Sequence, residues 1–242
     1  MRQHAFPPFW GIAALVAVVG LAFFFTGRDG GPVTGAGSVA SASGGGGKLR
    51  MKDVEIRGRK VRLPIPVDYE EMRQEDAPLV YDLVVKLNSK ENGRTLLAAL
   101  IHSKDKALLQ QGKDVELRYG AAFSSSLFGG AVMDKHQYIY FRERFVDYVK
   151  EINDGANDAR EEGESVYEWE YIYKGDRSVS SMTIDRSGVE AGQCMTLITE
   201  SYAIIDKKII GIYLCYCAKD EAAVAAYTNE MVEYVRYIDQ DH

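Results

Sequence analysis

The sequence predicts an α+β domain: a three-layer α/β/α sandwich with a largely antiparallel sheet and helices on both faces, preceded by one N-terminal transmembrane helix. Three observations carry this reading. The segments "RTLLAALIHS" and "IIGIYLCYC" are apolar on both alternating faces, so each needs a layer above and below it. The connections between successive strand patterns are short, which favours antiparallel pairing. Finally, the seventeen residues from Phe9 to Phe25 carry no charge.

That uncharged stretch spans roughly 26 Å as a helix, near the hydrocarbon thickness of a thin bilayer. It sits at the long edge of the range for a signal-peptide core, and Thr26-Gly27-Arg28-Asp29 behind it is a poor cleavage context. The nearest small-residue cleavage pattern, Ala40-Ser41-Ala42, lies well downstream. An uncleaved anchor over residues 9–26 is the reading; its alternative is a signal peptide with an atypical cleavage site. Arg2 and the terminal amine keep the flank, residues 1–8, in the cytoplasm and send the remainder out across the plasma (inner) membrane. Residues 27–47, "GRDGGPVTGAGSVASASGGGG", bury too little apolar surface to offset their ordering entropy. They form a flexible tether with a root-mean-square reach of roughly 25 Å.

The globular domain occupies residues 48–242. "DVEIRGRKVRLPIP" reads as a hairpin turning at Arg57-Gly58 and ended by Pro64 and Pro66. Pro78 opens a helix on which Leu79, Leu83 and Leu87 recur at four-residue spacing, and "NSKENG" closes it. In "RTLLAALIHS", Thr95, Leu97, Ala99 and Ile101 fall on one face, and Leu96, Ala98 and Leu100 on the other. A central strand with Leu97 buried follows from that pattern. A short helix over about Lys104–Gln111 and the strand "VELRYGAAF" come next. Asp134 with Gln137 predicts the start of a long helix whose stripe is Tyr138, Phe141, Phe145, Tyr148 and Ile152, fraying across "NDGANDAREEGE". Four strands follow at about Val166–Lys174, Val179–Asp185, Cys194–Ile205 and Ile209–Cys217, the last with Ile212 buried. Asp206-Lys207-Lys208 turns the final pair. Asp220 caps a terminal helix that faces inward through Val224, Tyr227, Met231, Tyr234 and Ile238.

The run "KVRLPIPVDYEEM", then "RTLLAALI", "LRYGAAFS" and the terminal "GIYLCYC…YTNEMVEYVRYI" resembles the PsbP/MOG1-like α/β/α sandwich. The resemblance is to exported bacterial domains of that shape without an assigned function, and it covers roughly Val54 to Asp239. It implies a binding or assembly factor, and it transfers no site residues.

Charge narrows the partners. Residues 48–242 hold 27 basic and 34 acidic side chains, a net charge of −7. That sum argues against nucleic acid and against an anionic lipid surface. A partner is expected among envelope proteins or small ligands, and the membrane itself is met through the N-terminal helix.

The residues that could carry chemistry are few. Cys215 and Cys217 share a strand face, and a two-residue turn at 206–208 sets Cys194 diagonally opposite Cys217, whereas a three-residue turn reverses its face. In an oxidising compartment Cys194 can bridge to Cys217 or Cys215; otherwise the three thiols act as small hydrophobes. No fourth thiol or histidine lies at zinc-ligand spacing, so no metal or cofactor is expected. His4, His102, His136 and His242 are isolated, with His102 closing a strand before a helix. "SSSLFGGAVM" (Ser124–Met133) reads as a loop, or as the lining or lid of a pocket. Asp154, Asp158, Glu161, Glu162 and Glu164 lack the order of a calcium loop and read as a solvated helix end. Tyr167, Trp169, Tyr171 and Tyr173 share one strand face, where they either meet a ligand or pack beneath the 138–152 stripe. No nucleophile elbow, phosphate loop or metalloprotease pair is present, so no catalytic residue is assigned. The expectation is a membrane-anchored extracytoplasmic binding or assembly module, non-enzymatic. Its alternative is an envelope hydrolase using His102 or His136 with carboxylates gathered by folding.

Overall fold

A computed structural model of the chain describes residues 49–113, 115–125, 132–158, 167–186, 189 and 194–241. Strands β1 (Leu49–Ile56) and β2 (Arg59–Pro66) form a separate hairpin. Strand β3 (Tyr69–Glu71), helix α1 (Pro78–Leu87), strand β4 (Arg94–His102), helix α2 (Ser103–Gln110) and strand β5 (Tyr119–Ser125) follow. After helix α3 (Lys135–Asp158) come β6 (Tyr167–Lys174), β7 (Ser178–Asp185), β8 (Met195–Ile205) and β9 (Lys208–Ala218), and helix α4 (Glu221–Asp241) ends the order. Strands β3 to β9 make one sheet in the order β3-β4-β5-β9-β8-β7-β6, antiparallel at every pairing.

Each side of the sheet has its own core. On one side α4 and the β1–β2 hairpin cover Leu100, Met182, Leu197, Ile212 and Leu214. On the other, α1 and α3 cover Ala99, Ile101, Phe123, Tyr202 and Tyr213. These are the three layers expected of two-faced apolar strands. Among the described residues no helix is long and apolar enough to cross a membrane. The expected anchor and tether lie outside the described residues.

Local chemistry explains the turns and caps. Arg57 and Gly58, at φ 51° and 76°, close the first hairpin, and Asp206 and Lys207, at φ 48° and 63°, close the last one as two-residue turns. Asp134 Oδ1 accepts from the Gln137 amide (2.8 Å) while Gln137 Oε1 accepts from the Asp134 amide (3.0 Å), a reciprocal capping box. Helix α3 then runs unbroken to Asp158, six residues into the stretch expected to fray. Asp220 Oδ1 caps α4 through the Ala223 amide (2.8 Å), and all five expected inward residues of α4 are buried.

Several expectations are corrected. Pro64 lies within β2, which ends at Pro66 as expected. The buried stripe of α1 is Val80 and Val84, while Leu79 is 70% exposed. A 3.6-residue helix rotates a strict four-residue repeat off its face, and Val80, Tyr81 and Val84 sit closer to the sheet. Strand β4 has only the three-residue β3 outside it. It also bulges: Leu96 pairs with Phe123 and Ala98 with Ala122, leaving Leu97 unpaired and half-buried. Strand β6 breaks the same way between Tyr171 and Tyr173.

Candidate functional site

A polar constellation lies on the α4 side, where β4 ends and β3 and β5 begin. Register builds it. Tyr69 on β3 pairs with His102 on β4. The His102 amide donates to the Arg118 carbonyl (2.9 Å). Tyr119 pairs with Cys215, which sets Arg118 beside Tyr216 on β9. One row, Tyr69–His102–Arg118–Tyr216, therefore crosses four strands on a single face. Helix α2 begins straight after His102, so Asp105 in its first turn reaches back to the row. From α4, Tyr227 packs on the Tyr216 ring (centres 5.2 Å) and Glu230 acts electrostatically on Tyr69.

Asp105 spends both oxygens on Arg118. Oδ2 accepts from the Arg118 backbone amide and Nε (2.9 Å each), and Oδ1 from Nη2 (2.6 Å). Burial would raise the Asp105 carboxyl, but these bonds outweigh it and hold the group below its ordinary range. The same bonds hold Arg118 above its ordinary value against burial. The His102 Nδ1 stands 3.8 Å from Asp105 Oδ1, beyond hydrogen-bond reach, and finds no partner. Tyr69 meets the imidazole edge-on at 5.3 Å, and its own hydroxyl is also buried and unpartnered. Burial, seconded by Arg118, pushes His102 below its ordinary value near 6.5; Asp105 opposes the shift. Burial raises Glu230 above 4.5, opposed by Arg118 and reinforced by Asp68 and Asp105.

A histidine with a lowered folded pKa binds fewer protons folded than unfolded, so its contribution to stability is lost as pH falls below about 6.5. The raised Glu230 works in the other direction, its contribution being full below about 4.5 and lost as pH rises through its folded value. Between about pH 7.5 and about pH 5.5 the His102→Asn variant should lose less stability than the parent in urea titrations. Parallel losses would mean that His102 is not held neutral.

The other expected site residues scatter. His136 is exposed in the first turn of α3, on the opposite layer from His102. Cys194 and Cys217 form a disulfide with Cα atoms 5.5 Å apart, while Cys215 is a buried free thiol. The two-residue turn settles that pairing. Trp169 and Tyr171 pack on the α3 side, whereas the β6 bulge turns Tyr173 to the α4 side, so the expected single-faced row is split. Asp154 is exposed on α3. Residues 126–131 of the Ser124–Met133 stretch lie outside the described residues, as do His4, His242, Glu161, Glu162 and Glu164. Among the described residues no group of His, Cys, Asp or Glu side chains is placed to hold a metal ion.

A second polar group, missed in the sequence, lies on the α1/α3 side. Arg94 Nη2 meets Glu200 Oε1 at 2.9 Å with both side chains buried, and the Tyr202 hydroxyl donates to the same oxygen (2.9 Å). The guanidinium stacks 4.1 Å above the Phe123 ring centre. Phe123 in turn lies on Gly211, where a Cβ would come within 2.2 Å of the ring. The available signal was a lone carboxylate inside an apolar strand, "MTLITESYAII".

No protein-family model matches the chain, and no curated protein sequence matches it. Among solved structures, the Ran-binding protein Mog1p of Saccharomyces cerevisiae is similar at 11% identity and a TM-score of 0.34, over 78% of this chain and 93% of that one. This is a distant likeness of fold; it assigns neither partner nor activity.

Proposed function

We propose that the chain is a membrane-anchored extracytoplasmic binding or assembly module rather than an enzyme. The observation that carries the reading is the Cys194–Cys217 disulfide across β8 and β9. A closed bridge in a domain of this size suits an oxidising compartment, where the apolar 9–26 segment would deliver it. The chemistry of the His102 row supports a non-catalytic role. Asp105 orients Arg118 instead of the imidazole, and the ring is 3% exposed. A hydrolase working through His102 would need that carboxylate freed and the ring opened to substrate.

Two readouts on cells test the proposal. Protein denatured directly from cells with a bulky maleimide should take up one label per chain, on Cys215. Protease added to spheroplasts should cut first within residues 27–47 and release a soluble domain. Three labelled thiols, or a chain protected in intact spheroplasts, would place the domain in the cytoplasm and reject the proposal.

A further inference from the structure

Two tight turns lie side by side at one end of the domain: Arg57-Gly58 between β1 and β2, and Asp206-Lys207 between β8 and β9. The Arg62 amide donates to Asp206 Oδ2 (3.3 Å), which ties them together. Buried Val61 and Leu63 root the hairpin in the core. Arg57, Arg59, Lys60, Arg62 and Lys207 are exposed there. None of the five is ion-paired with a carboxylate among the described residues. By register Lys60 stands opposite Glu55 and Arg62 opposite Asp53, so those charges largely cancel at a distance. Arg57, Arg59 and Lys207 remain in excess, with Asp206 the one further carboxylate on the turns. Lys208 feels them: it is pushed below its ordinary value first by burial, then by Arg59 and Arg57.

Backbone conformation sharpens the point. Arg57 and Lys207 both have positive φ, at 51° and 63°. Turns of this kind prefer asparagine or glycine there, because a side chain crowds the following carbonyl. Turn chemistry therefore does not select an arginine and a lysine; their charge is the remaining property. The chain as a whole carries −6, so this positive end stands apart from the rest of the surface.

We infer that this end of the domain is a docking surface for an acidic segment of another protein. A membrane is the competing anionic surface, and the fold disfavours it. The expected tether joins at Leu49, opposite Pro66 at the open end of the hairpin. The eight residues of β1 set the turn about 26 Å away from that junction. The cations thus sit at the end remote from the tether. This inference deepens the binding-module reading and rests on it only for the choice of protein over lipid.

The Arg57→Asn/Lys207→Gly double variant removes two charges and gives each turn a residue its backbone prefers. Its melting temperature should match or exceed that of the parent. The full chain in detergent is titrated with a labelled Glu/Asp-rich peptide, and separately with phosphatidylglycerol vesicles. Peptide binding should weaken as salt rises, and weaken a further roughly five- to thirtyfold in the double variant. Arg57→Lys with Lys207→Arg should retain it. Equal peptide binding by parent and double variant overturns the inference, as does no peptide binding at all. A vesicle response abolished by the same substitutions, without a peptide response, also overturns it in favour of lipid. Thiol labelling reads the compartment independently, so either proposal can fail alone.

Discussion

Glu200→Ala should destabilise the domain by roughly 3–5 kcal/mol, because it strands the Arg94 guanidinium in a dry interior. Arg94 and Glu200 are 3% and 5% exposed. Water cannot replace the lost carboxylate where Phe123 covers one face of the cation. The Tyr202 hydroxyl would lose its acceptor as well. Removing both charges, as Arg94→Met with Glu200→Leu, should restore most of the loss, since well-packed apolar replacements of a buried pair are often neutral or better. Urea unfolding of the three variants measures this directly. A single-variant loss below about 1 kcal/mol would show that Arg94 finds another partner, and would refute the assignment.

The second large effect lies in the sheet. Ile212→Ala should cost about 2–5 kcal/mol, because Ile212 is 2% exposed on a strand flanked by β5 and β8. Leu97→Ala should cost nearer 1 kcal/mol, since a half-buried side chain has less apolar contact to lose. The sequence pattern alone sets these two residues as equals. If unfolding midpoints shift equally for both, the bulge at Leu97 is wrong.

That bulge shows where pattern reading stops. Perfect alternation along β4 would put Arg94 and His102 on the same face. The extra residue at Leu97 reverses the parity, sending Arg94 to the α1/α3 layer and His102 to the α4 layer. The Arg94–Glu200 and His102–Arg118 groups both depend on it, and neither can be foreseen without it. Features set by neighbours in sequence were legible: the positions of the turns at Arg57-Gly58 and Asp206-Lys207, though not the length of the second, the Asp134/Gln137 box, the α4 stripe and the four C-terminal strands. The Cys194–Cys217 bridge was legible once the turn length was known, because register follows from the turn. Features set by distant strands were not. Tyr69, Asp105 and Arg118 carry no local motif, and only the β3-β4-β5 pairing aligns them. Leu79 misled because leucine spacing marks a helix, but the sheet chooses which face it buries.

The seam between β5 and β9 bears on how the chain assembles. Strands β6 to β9 and α4 follow one another in sequence, so each hairpin closes over a short span. Joining β5 to β9 instead pairs Ala122 with Ile212 across the whole of α3 and the three strands after it. Loop-closure entropy is heaviest at that step, and contacts made there reward the chain last. The seam is also tight. A Cβ on Gly120 would lie 2.0 Å from the Tyr213 carbonyl oxygen, so the strands approach this closely only because residue 120 has no side chain. The topology therefore makes the local meander of β6 to β9 a natural template for the β3-β4-β5 half, and it places a glycine at the pairing of greatest sequence separation in the sheet.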